Sequence, residues 1–87
     1  MRPAKPIHPG KMLLEEFILP LKITQRDLAQ RLGWTAAKLS ELIHGKRGVT
    51  ADTALDLAKE LRTSPELWLN LQMLWDLHQA ERRRKAA

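Results

Sequence analysis

Eighty-seven residues leave room for one domain around one modest core, and a hydrophobic content of 44% is enough to fold it. Basic side chains outnumber acidic ones 15 to 10, which fits a polyanionic partner, yet Arg82, Arg83, Arg84 and Lys85 supply four of those charges. The lack of cysteine excludes a disulfide framework and thiolate metal sites, and so short a chain has little scaffold for a deep catalytic cleft.

Residues 1–9 carry three prolines and read as an extended arm. Residues 10–19 place Met12, Leu13, Phe17 and Ile18 at helical spacing around Glu15 and Glu16, and Pro20 is expected to stop this first helix. Thr24 caps a second helix that runs to Leu32 and ends at Gly33 in a left-handed conformation. Thr35 caps a third, from Ala36 to about Ile43, with Gly45 beyond its end. A basic turn, Gly45-Lys46-Arg47-Gly48, leads to Thr50, the cap of a fourth helix with Ala54, Leu57, Ala58 and Leu61 along its inward stripe.

Ser64, Pro65 and Glu66 then stand in the order cap, first-turn proline and acid. They open a fifth helix, expected to reach about residue 81 and to fray into a solvated basic tail over residues 82–87. No strand-like alternation interrupts this pattern, so an all-α fold of five helices over residues 10–81 is expected. The start has no signal-peptide core, and no apolar run approaches the roughly 20 residues of a bilayer span. A soluble, cytoplasmic protein with no membrane partner is the expectation.

The second and third helices have the residue types that a helix-turn-helix demands. Ala29 is small where the helices approach, and Gly33 tolerates positive φ in the turn. Leu28, Leu32, Trp34, Leu39 and Leu42 fall at the inward positions. In such a motif the second helix offers its exposed face to the major groove, while the first crosses the phosphate backbone. The motif spans residues 25–44.

The N-terminal half of the reading helix meets base edges, which places Thr35, Ala36, Ala37 and Lys38 first among the candidates. Thr35 has three readings: a cap alone, a thymine-methyl contact, or a phosphate ligand. The two alanines offer only methyl groups, and Lys38 is a donor for guanine or phosphate. Ser40 and Glu41 lie one turn further on, with a solvated charge the competing reading of Glu41. His44 sits at the helix end as a surface residue. Gln25 opens the first helix of the motif, where its amide and the backbone N–H groups can meet phosphate. Arg26, Lys46 and Arg47 are further phosphate candidates.

A wheel of the fifth helix puts Leu67, Trp68, Leu71, Leu74 and Trp75 on one broad face. Leu69, Met73 and Leu77 form a second stripe. One core needs one stripe, so the second marks a second buried contact. A two-fold dimer accounts for it; packing against the first helix of the same chain and docking of a protein partner are the alternatives. The spacing of Trp68 and Trp75 makes them core or interface residues rather than base-stacking ones. His8, His44 and His78 are too far apart in sequence to read as a metal site, and Glu15 and Glu16 face different sides of one helix. Neither an enzyme nor a cofactor is expected.

The residues just described resemble one known group. The likeness rests on His8-Pro9-Gly10, Gln25 with Leu28-Ala29, Leu32-Gly33, and Ile43-His44-Gly45-Lys46-Arg47-Gly48. It continues through Thr50-Ala51-Asp52-Thr53-Ala54, Ser64-Pro65-Glu66, Trp68-Leu69-Asn70-Leu71-Gln72 and Asp76-Leu77. These motifs are similar to those of HigA antitoxins, a branch of the Cro/C1-type (XRE) helix-turn-helix proteins. The resemblance implies a five-helix Cro/C1 repressor-like domain that binds double-stranded operator DNA as a homodimer. It further implies an autorepressor, nucleoid-associated when bound, that neutralises a HigB-like ribonuclease toxin of the RelE-like group, which cuts mRNA. A stand-alone repressor without a toxin is the alternative. Family members commonly carry glycine where Lys22 and Arg62 stand here, which is expected to alter those two helix ends.

Overall fold

Capping chemistry sets most of the helix boundaries. The computed structural model describes residues 5–86; the first four residues of the expected arm and the last residue of the expected tail lie outside the described residues. Five helices follow one another. They are α1 (residues 9–21), α2 (Gln25–Leu32), α3 (Ala36–Ile43), α4 (Ala51–Leu61) and α5 (Pro65–Ala86). Thr24, Thr35 and Thr50 each accept, through Oγ1, the N–H three residues on, and Ser64 does the same for Leu67 at 3.1 Å. All four expected caps are in place.

Helix α1 starts at Pro9, because His8 caps it: Nδ1 accepts the Gly10 N–H at 3.0 Å. It does not stop at Pro20, contrary to expectation. The chain passes from Pro9–Leu13 through a π-helical turn, Leu14–Ile18, and on to Leu19–Leu21. In the wide turn the Leu19 N–H reaches back to the Leu14 carbonyl. That looser backbone makes room for a proline ring, which in a regular helix meets the carbonyl four residues earlier.

Helices α1 and α4 end at Lys22 and Arg62, both left-handed, with φ of 56° and 58°. The expected alteration of these ends is not found. Both keep the turn that glycine adopts freely, at a cost of about 1 kcal/mol each. Their exposed side chains meet no packing obstacle. Helix α5 also departs from expectation, running unbroken to Ala86 instead of fraying near residue 81. Arg83, Arg84 and Lys85 occupy its last turn, where positive charge complements the helix dipole.

The core gathers Leu13 of α1, Leu28 of α2, Leu39 and Leu42 of α3, Leu57 of α4 and Trp68 of α5, all fully buried. Helix α5 lies along α4, while α3 packs on both α1 and α2. Leu69, Met73 and Leu77 are 37%, 52% and 39% exposed, so the described residues leave the second stripe partly open to solvent.

His8 is itself buried and stands edge-on to Trp75, with ring centroids 5.2 Å apart. Burial pushes its pKa below the ordinary 6.5, with the charge of Asp76 opposing. A histidine whose folded pKa is depressed contributes stability above the unfolded value and loses it as pH falls toward the folded one. Protonation also removes the Nδ1 lone pair that caps α1. Between pH 7 and pH 5, wild type is therefore expected to lose more thermal stability than His8→Asn, which keeps a capping oxygen but does not titrate. Parallel Tm curves for the two proteins would contradict this.

Candidate nucleic-acid interface

The bend between α2 and α3 closes as a left-handed helix end. Gly33 has φ of 72°, and the Trp34 N–H returns to the Ala29 carbonyl at 2.9 Å. Leu28, Ala29 and Leu39 seal the inside of the angle. Thr35 then caps α3, its Oγ1 accepting the Lys38 N–H at 3.1 Å. These local bonds turn the start of α3 outward: Thr35, Ala36 and Ala37 are all exposed. The surface they form is flat and small-sided, with the positive end of the α3 dipole beneath it.

Trp34 locks the bend to the rest of the domain. Its indole Nε1 donates to Asp56 Oδ2 on α4 at 2.9 Å. The Lys38 ammonium lies 4.4 Å from the indole ring centroid, so Lys38 rests partly buried against Trp34 in the free protein. Asp56 was absent from the sequence-based candidates, because no local pattern links residues 22 positions apart.

Gln25 and Arg26 are exposed at the start of α2. Ser40 and Glu41 are half-buried on α3, and Glu41 pairs with Arg47 at 2.9 Å, each side chain 46% exposed. The charge at Glu41 is thus balanced by Arg47, one of the cations expected to meet phosphate, leaving Lys46 exposed beside the pair. His44 is exposed, with Nδ1 2.7 Å from the Ser40 carbonyl; that oxygen only accepts, so Nδ1 carries the proton. The basic turn is held from α5, where Gln72 Oε1 accepts the Val49 N–H at 2.7 Å. Among the described residues no group of three or more His, Cys, Asp or Glu side chains could hold a metal, and no helix is long and apolar enough to cross a membrane.

An outward helix on a tight, glycine-closed bend, borne by three supporting helices, defines a helix-turn-helix module. Residues 14–68 match the model of the helix-turn-helix family. Antitoxin HigA-1 of Vibrio cholerae is 43% identical over 76 residues, covering 83% of this chain and 70% of that protein. An HTH-type transcriptional regulator of Haemophilus influenzae is 40% identical over 85 residues, covering 94% of this chain and 79% of the relative. The solved structure of Pseudomonas aeruginosa antitoxin HigA with the higBA promoter superposes with a TM-score of 0.89 at 33% identity, over 94% of this chain and 89% of that one. The chain belongs to the HigA antitoxin branch of the Cro/C1-type helix-turn-helix family, whose members are DNA-binding regulators rather than enzymes.

Proposed function

We propose that the chain binds double-stranded operator DNA as a symmetric dimer, represses its own operon, and neutralises a HigB-like ribonuclease toxin encoded beside it. The observation that carries this reading is the exposed start of α3 on a fold shared with a HigA protein solved with its promoter. In the proposed complex Thr35, Ala36, Ala37 and Lys38 enter the major groove, with Ser40 and Glu41 one turn behind. Gln25, Arg26, His44, Lys46 and Arg47 stand along the flanking phosphates. Lys38 leaves the Trp34 ring to reach a base or phosphate. Two such surfaces need a two-fold axis, and burial of Leu69, Met73 and Leu77 against their copies supplies it. The reading places the protein in the bacterial cytoplasm, on the nucleoid when bound.

A gel shift with the protein's own promoter tests the DNA half; no shift at low salt would overturn it. Coexpression with the neighbouring small basic ribonuclease tests the toxin half. A neighbour that never copurifies would leave the second reading, a stand-alone repressor.

Lys46→Ala is expected to weaken binding to operator and random DNA alike. The slope of log K against log salt should fall by about one unit. An unchanged slope would remove Lys46 from the phosphate contacts.

A further inference from the structure

The basic turn after α3 is held at its start by α3, where the Glu41 carbonyl accepts the Lys46 N–H at 2.8 Å, and at its end by a side chain of the terminal helix. Gln72 Oε1 accepts the Val49 N–H at 2.7 Å, and Gln72 Nε2 donates to Asp76 Oδ1 at 2.9 Å. A carboxylate only accepts, so Asp76 forces the amide nitrogen toward itself and leaves the oxygen for Val49. The orientation of the amide is thereby determined. Gly48 is built for this approach: a Cβ there would lie 3.1 Å from the carbon, nitrogen and oxygen of the Gln72 amide. Val49, the donor, is buried. A buried N–H left without a partner is costly, so the turn has one preferred position against α5.

The same row of α5 borders the partly open stripe. Gln72 and Asp76 each stand one residue before Met73 and Leu77, which are exposed. On the other side of the bond, Lys46 lies three residues before Val49 in the chain. We infer that Gln72 is a positioning residue: it holds the Lys46 turn at a set height over the DNA backbone and ties that height to the helix bearing the dimer stripe. This rests on the operator-binding reading above. A turn fixed in advance loses less conformational freedom when Lys46 meets a phosphate, which raises affinity without a new contact.

Gln72→Leu removes both bonds while keeping a side chain of similar size. Three readouts are taken on the full chain: Val49 amide hydrogen exchange, operator affinity across a salt series, and the dimer constant by sedimentation equilibrium. Val49 exchange should speed up, operator affinity should fall by about tenfold, and the salt slope should shrink by about one unit. The dimer constant should stay as in wild type. The double variant Q72E/D76N restores an acceptor for Val49 and a donor beside it, and should recover affinity and slope together.

Loss of affinity matched by an equal loss of dimer would overturn the inference, since Gln72 would then serve only the interface. Wild-type affinity and slope in Gln72→Leu, despite faster Val49 exchange, would overturn it too. In both cases the wild-type shift stands and operator binding survives. A wild-type chain that shifts no promoter ends both readings.

Discussion

Trp68→Ala is expected to remove about 3–5 kcal/mol of folding stability, enough to unfold much of the population in a domain of this size. Trp68 is fully buried where α5 meets the body of the domain. Its ring stands 5.5 Å from that of Phe17, in the π-helical turn of α1, and its Nε1 donates to Thr63 Oγ1 at 2.7 Å. Alanine there opens a cavity at the junction of α1 and α5 and leaves the Thr63 hydroxyl without its donor. The measurement is urea unfolding followed by circular dichroism, which reads the helices without the lost fluorophore. Trp68→Phe separates the two terms: it keeps most of the ring volume and loses the hydrogen bond, at about 1 kcal/mol from that bond alone. A loss below 1 kcal/mol in the alanine variant would show that the junction collapses without it.

Gly10→Ala is expected to be damaging as well, although it adds only one methyl group. A Cβ at this position would overlap the Leu42 carbonyl oxygen and come within 2.6 Å of its carbon and 3.0 Å of Ile43 Cα. All three are backbone atoms at the end of α3, so no side-chain rotation relieves the overlap. Overpacking of this kind costs about 1–3 kcal/mol, and relief requires α1 and α3 to part. The helix displaced is the one proposed to read DNA. Tm should fall, and operator affinity should fall further than the unfolded fraction accounts for when measured at a temperature where the variant is folded. Full affinity at that temperature would mean that α1 moves and α3 stays in place.

These two residues differ in how plainly the chain announces them. Trp68 was legible: its spacing with Leu67, Leu71 and Trp75 marks an inward face, since helical periodicity follows from the backbone alone. Gly10 stood inside the recognised His8-Pro9-Gly10 entrance, but the demand for hydrogen at its α-carbon comes from Leu42, 32 residues away. The candidate interface divides in the same way. The outward start of α3 was foreseen because Thr35 and Gly33 act on their own neighbours. The pairing of Glu41 with Arg47 and the resting place of Lys38 on Trp34 depend on how α3 and the chain beyond it pack.

Caps, bends and stripes were thus settled by the order of residues, because each arises from bonds spanning three or four positions or from helical repeat. Thr24, Thr35, Thr50, Ser64 and Gly33 needed no distant partner to act as they do. Assembly alone decided that α1 carries Pro20 through a π-turn, that Lys22 and Arg62 accept left-handed backbone, and that Asp56 and Gln72 reach Trp34 and Val49. In each of these a local preference is opposed, or a distant group recruited, by the close packing of helices around one small core.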